Sequence, residues 1–295
     1  MPHLNLFVGK NFTPTLNWTF IMHAALIHVV SLAMVVGPTL ADQPAVDLTL
    51  DSGYRQMYNL EFARAHDTFA NWKRLHPEDP LGPTSDAAAY LFAELDRLGV
   101  LQSELFVSDS AFLKHQNGTA DPQAKRGFEA ALAASDVLAK SALSRNPHDK
   151  NALFAQVLNF GLRGDYLALI EHRYLAALSY LKEGSALADK LLAIDPSYYD
   201  AYLAVGAENY ILSLNSAPVR WLLRLYGAQT DRSLGIQKLQ LTADKGRYLA
   251  PYARLLLAVA ALRDKNRTRA RELLTGLVQE FPNNRLYARE LARLE

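Results

Sequence analysis

The sequence predicts an all-α protein, with antiparallel helix hairpins stacked as an α-solenoid, an irregular middle and a C-terminal capping helix. Three observations carry this reading. Apolar residues recur at helical spacing, as in Leu255, Leu256, Val259 and Leu262, and again in Ala270, Leu273, Leu274, Leu277 and Val278. Small residues and a proline are spaced alike near both ends: Gly53, Ala65 and Pro77 by 12 and 12, and Ala258, Ala270 and Pro282 also by 12 and 12. No run of alternating residues is long enough for a sheet.

Each position in that spacing has a mechanical role. The first small residue lets helix A of a hairpin meet helix B, the second does the reverse, and the proline ends helix B. Residues 51–77 therefore form the first hairpin. A helix is expected over 85–98, started by Thr84, Ser85 and Asp86, with a second over 101–113 and a loop at 116–122. A long helix follows over 122–145, whose small stripe (Ala130, Ala131, Ala133, Ala134) suits close approach. Residues 150–163 form another helix, broken by Gly161 and Gly164. The helix over 165–194 is expected to be interrupted near Gly184 and to stop at Pro196. Helix 198–214 then reads as a further helix A, with Tyr202 and Gly206 at its contact positions. Its partner departs from the pattern across 216–246. Residues 251–284 close the array as the last hairpin, and 285–294 have the amphipathic pattern of a cap.

These residues give the chain a resemblance to the tetratricopeptide repeat (TPR) family. It rests on Gly53/Ala65/Phe69/Pro77, on Pro196/Tyr202/Gly206 and on Leu257/Ala258/Ala270/Pro282, with a hairpin of roughly 34 residues as the unit. Residues 218–239 are similar, more weakly, to the tetratricopeptide repeat 39/Iml2 group, in a shared way of connecting two repeat pairs. Prolines 77, 147, 196 and 282 are unevenly spaced, which implies inserted or degenerate units between them. The family resemblance implies a scaffold that binds peptides or helices of partner proteins along a concave face.

The first 41 residues do not read as part of this fold. Residues 20–36 are apolar and lead to Gly37-Pro38 and then Thr39-Leu40-Ala41, the pattern of a secretory signal with cleavage before Asp42. The alternative is an uncleaved anchor, the only route to membrane attachment that this reading allows. Residues 42–295 are the helical-repeat domain, and the expected location is the periplasm or the exterior of a bacterial cell envelope.

The whole chain has 31 basic and 30 acidic residues, and removal of 1–41 takes away only Lys10, leaving 30 against 30. Such a balance gives no electrostatic reason to bind nucleic acid. The chain has no cysteine, so disulfides, thiolate metal sites and cysteine nucleophiles are excluded. The histidines at 66, 76, 115, 148 and 172 never stand four positions apart, and no phosphate-binding glycine loop or nucleophile elbow occurs. The expectation is therefore no enzyme, no metal and no cofactor.

Binding is expected on the inner face of the A helices. The candidates are Asp200, Leu203, Ala207, Tyr210 and Ile211 in one unit, and Tyr252, Leu255 and Val259 in the last. Tyrosines there offer an apolar body with a polar tip, though Tyr210 and Tyr252 also suit packing between hairpins. Arg220 and Trp221 are expected either as a cation-bearing rim or as a lock against Asp231. The leading functional expectation is an exported adaptor that holds a protein or peptide partner. The alternative is a carrier whose irregular middle, residues 160–245, encloses a small apolar ligand; an enzyme assembled from distant carboxylates is third.

Overall fold

A computed structural model describes residues 49–100, 119–215, 217–225 and 227–294. They belong to one unit, Val46–Glu295. The expected signal segment and the expected helix over 101–113 lie outside the described residues. Among the described residues there are twelve α-helices and no strand. They are α1 (Leu50–Tyr58), α2 (Phe62–Leu75), α3 (Leu81–Arg97), α4 (Pro122–Arg145), α5 (Lys150–Leu169), α6 (Tyr174–Ile194), α7 (Tyr202–Ser213), α8 (Ala217–Leu225), α9 (Arg232–Lys245), α10 (Ala250–Arg263), α11 (Arg267–Glu280) and α12 (Arg285–Ala292). A 3-10 turn, Tyr199–Ala201, leads into α7.

Five hairpins give the closest helix pairs: α1/α2, α3/α4, α5/α6, α7/α9 and α10/α11. Four of them end in the same turn. Helices α2, α4, α6 and α11 stop one residue before an X-Pro pair, with His76, Asn146, Asp195 and Phe281 as C-caps in extended or near-extended backbone. A residue before proline is pushed out of the helical region, so the stop is built into the sequence. Each C-cap carbonyl then accepts from an N–H three residues on, that of Asp79, Asp149, Tyr198 and Asn284, at 3.0–3.1 Å. The prolines are unevenly spaced because the hairpins differ in length and because the α7/α9 hairpin ends at Gly246 instead.

Several expectations are corrected. Helix α3 begins at Leu81, where Asp79 caps the Leu81 N–H at 3.0 Å, so Thr84, Ser85 and Asp86 lie inside it. Thr84 and Ser85 return their hydroxyls to the carbonyls of Pro80 and Leu81. Burial would raise the Asp86 carboxyl, but hydrogen bonds from His66 and Lys73 outweigh it and hold its pKa below the ordinary value. In α4 the buried face is Phe128, Ala131, Leu132, Ser135, Ala139 and Ala142, whereas Ala130, Ala133 and Ala134 are exposed. Helix α5 runs on through Gly161 and Gly164, and α6 runs through Gly184. The break falls between them, at residues 170–173, where His172 takes a positive φ of 55°. His172 is thus a turn residue and not part of a helix face. The two helices approach closely at Gly184, where a Cβ would meet the Phe160 Cβ at 3.3 Å.

The irregular middle resolves into an insertion. Gly206 of α7 crosses Gly235 of α9, and a Cβ on Gly235 would lie 2.6 Å from the Tyr210 nitrogen. Gly206 to Gly235 is 29 residues, against 12 between the matching positions of the first and last hairpins. The surplus of 17 holds α8, and α9 is the true partner of α7.

The array does not end in free faces. Its first hairpin and α3 of the second pack against the last hairpin and the residues flanking it. Tyr54 stacks on Tyr248 at 4.9 Å, Tyr58 meets Phe281 at 5.5 Å and Phe92 meets Tyr252 at 5.6 Å. The Tyr58 hydroxyl donates to the Tyr248 carbonyl at 3.0 Å, and the Asn284 side-chain amide donates to the Tyr58 carbonyl at 2.7 Å. Arg285 pairs with Asp96, and Arg247 with Asp51. One continuous apolar core therefore runs from Leu50 to Leu294.

Candidate functional site

Because the ends meet, the inward faces of the A helices α1, α3, α5, α7 and α10 look onto a common space. That space is a chamber of about 520 Å³, completed by α6 and α8. Its size falls within the range of small-molecule sites. The wall is largely apolar, with Met57 from α1, Phe92 from α3, Leu158 from α5, Leu178 from α6, Leu203 from α7 and Leu256 from α10. Tyr174, Leu175, Ile211 and Val219 belong to the wall and are 42%, 88%, 44% and 41% exposed, so they mark the mouth.

Small residues make the space. On α5 the inward face reads Leu158, Gly161, Asp165, Ala168, one helical stripe. A Cβ on Gly161 would meet nothing within 4 Å. On α7, Ala204 and Ala207 occupy the corresponding face.

Two carboxylates interrupt the wall. Asp200 is buried and fully employed: its oxygens accept from the backbone N–H groups of Arg247, Tyr248 and Leu249 at 3.0, 3.1 and 2.9 Å. It thereby fixes the turn that starts α10. Burial raises its pKa, and the three N–H bonds work against that rise. Asp165 is different. Its only hydrogen-bond partner among the described residues is the Tyr252 hydroxyl, which donates to Oδ2 at 3.4 Å, a long and weak bond. Burial pushes the Asp165 carboxyl up to about 7. Its surface is part of the chamber wall, so the polar group it presents is presented to the space.

The sequence-derived candidates divide. Asp200, Leu203, Ile211 and Tyr252 line the chamber, as does Ala207. Tyr210 is buried outside it, 4% exposed, beneath the Arg232 guanidinium and against Gly235. Val259 is buried, and Leu255 is partly buried against the core; both lie outside the chamber wall. Arg220 donates to the carbonyls of Asn215 and Ser213, while Asp231 caps α9 through the Leu234 N–H. Trp221 is 64% exposed on α8, outside the wall that Val219 and Leu223 join.

Sequence reasoning missed Asp165, Phe92 and the N-terminal aromatics Tyr54 and Tyr58. For Asp165 a signal was present: a lone acid on an otherwise apolar helical stripe, one turn after a glycine. For the N-terminal aromatics there was none, because their place depends on the closure of the array. Among the described residues no cluster of His, Asp or Glu could hold a metal ion, and no helix is long and apolar enough to cross a membrane. Compared with protein-family profiles, with curated proteins and with solved structures, the chain gives no match.

Proposed function

We propose that this protein is a carrier that binds an apolar or amphiphilic small molecule in the chamber of its closed helical array. The chamber itself carries the reading: an apolar space of about 520 Å³ with an exposed apolar mouth. Burial of each methylene from water contributes about 0.8 kcal/mol. A homologous series of linear alcohols should therefore bind more tightly with length, four added methylenes giving about 3 kcal/mol or roughly 200-fold. Displacement of a neutral environment-sensitive dye measures this. Gly161→Trp, which projects into the space, should abolish dye binding in a protein that keeps its helical circular dichroism. No binding of dye or alcohol by the wild-type protein overturns the reading.

A second reading is favoured by the exposure of Leu175, Trp221 and Leu225, at 88%, 64% and 63%. It is the adaptor role, with an apolar segment of a protein partner seated at the mouth. Crosslinking from position 221 in the native envelope tests it. The recurring proline turn and the small-residue crossings support kinship with tetratricopeptide repeats. Export is supported by the pattern of residues 20–41, and N-terminal sequencing of the processed protein should begin near Asp42.

A further inference from the structure

We infer that the chamber selects amphiphiles with an alkylammonium head, which Asp165 accepts beside an aromatic wall formed by Tyr252, Phe92 and Tyr58. The inference rests on the carrier reading and names the ligand class of the same site.

Three features converge. The first is charge. Among the described residues that line the chamber there is no Lys, Arg or His, and its two acids are Asp165 and Asp200. Asp200 is saturated by three backbone N–H groups. Asp165 keeps most of its accepting capacity, because the Tyr252 hydroxyl at 3.4 Å supplies one weak bond. The one nearby guanidinium on the same helix, Arg163, is turned outward and paired with Asp136 at 2.6 Å. A carboxylate without a cation, half-buried in an apolar wall, is costly, and a ligand that brings the cation lowers that cost.

The second feature is aromatic. Tyr252 touches Asp165 and stands edge-on to Phe92 at 5.6 Å, and Phe92 stands edge-on to Tyr58 at 6.3 Å. All three rings belong to the wall. Aromatic faces attract ammonium groups, quaternary ones included, and offer nothing comparable to a carboxylate or sulfate. A ring wall next to a carboxylate therefore separates a cationic head from a merely hydrogen-bonding one.

The third is the rest of the wall, which is apolar up to the exposed mouth at Leu175 and Ile211 and accommodates a hydrocarbon tail. The ligand is thus oriented, its head at Asp165 and its tail toward Leu203 and Leu178.

The titratable groups that line the chamber are Tyr54 and Tyr58 from α1, Asp165 from α5, Tyr174 and Tyr180 from α6, Asp200 ahead of α7 and Tyr252 from α10. Burial raises the hydroxyls of Tyr58 and Tyr252 well above their ordinary value, so they stay neutral. Asp165 is the group that titrates in the neutral range. A permanently charged ligand should bind more weakly as pH falls through about 7, since the proton then competes for the same carboxylate.

The test uses dodecyltrimethylammonium, dodecanol and dodecyl sulfate below their micelle concentrations, each displacing a neutral dye from the full-length protein. At pH 8 the ammonium should displace dye at least 10-fold more effectively than the alcohol, and the sulfate least. Asp165→Asn should cost the ammonium at least 10-fold more than it costs the alcohol, and so should a change from pH 8 to 5.5 in the wild type. Phe92→Leu should weaken the ammonium selectively. Dye and alcohol binding with no preference for the ammonium, or a preference that survives Asp165→Asn, overturns the head-group assignment alone. Failure of the dye and the alcohol to bind the wild type overturns the carrier reading and this inference together.

Discussion

Asp165 should weaken the fold whenever it is ionised, and the size of the effect follows from its surroundings. Burial raises its carboxyl from 3.8 to about 7, so the folded chain holds the proton more tightly than the unfolded one. The group's contribution to stability is fully present below about 3.8 and is lost as pH rises through about 7. Integrated between those limits, the loss is about 1.5 kcal/mol at pH 5 and about 4 kcal/mol at pH 8. Asparagine keeps the shape and removes the ionisation. The stability of Asp165→Asn relative to wild type should therefore grow by about 2.5 kcal/mol from pH 5 to pH 8. In urea this amounts to roughly 1 M in the difference between midpoints, at a slope of about 2.5 kcal/mol/M. Taking the difference between the two proteins cancels every other titrating group. If the two pH profiles run parallel, the carboxyl is solvated and ordinary, and the reading of Asp165 as a desolvated, unpaired acid is wrong.

Five further substitutions address the frame around the chamber. Gly235→Ala should cost about 2–3 kcal/mol, because its Cβ would press on the Tyr210 nitrogen and the Gly206 carbonyl oxygen at 2.6 and 3.0 Å. Gly161→Ala, with nothing within 4 Å, should instead add about 0.5–1 kcal/mol through helix propensity; thermal unfolding reads both signs. Asn159→Leu should cost about 2–3 kcal/mol in urea unfolding, since Asn159 accepts from Thr84 and donates to Ser135 and Asp136 at 3.1, 2.9 and 2.8 Å in the core. Tyr58→Phe removes the buried bond to the Tyr248 carbonyl that joins the two ends and should cost about 1–2 kcal/mol. Asp51→Asn at the exposed Arg247 pair should stay within about 1 kcal/mol.

The helices were legible where one residue decides a local outcome. Pro77, Pro147, Pro196 and Pro282 each close a helix B because a residue before proline cannot stay helical, and each could be read without tertiary knowledge. Gly161 and Gly184 misled for the converse reason. Glycine lowers helix propensity by only about 1 kcal/mol, and the contact of α5 with α6 overrides it. The break at 170–173 had no comparable marker, since it consists of Ile, Glu, His and Arg, any of which can continue a helix. Within the site, Leu203 and Ile211 were accessible from helix phase alone. Tyr210 has a neighbouring phase, but the Gly206–Gly235 crossing turns it into the interface with α9. Tyr54 and Tyr58 of the first hairpin and Phe92 of the second belong to the site only because the start of the array meets its last hairpin, a contact nearly 200 residues long in sequence that no local pattern encodes.

Closure also changes what the inner face of such an array can be. In an open solenoid the concave residues face water, and small side chains there carry no penalty. Here five A helices face one another across a largely apolar space, and protein interiors normally fill to close packing. The means of filling lie near at hand: a larger residue at Gly161, Ala204 or Ala207 would occupy the chamber without meeting backbone at Gly161. Instead α5 carries, on one stripe and one turn apart, a glycine that weakens its helix and an acid that weakens the fold when ionised. An occupant offsets both costs, since a ligand fills the space left open at Gly161 and supplies the missing charge at Asp165. Local rules are broken here together, at the wall of the same chamber, and sites of function are where such breaches collect.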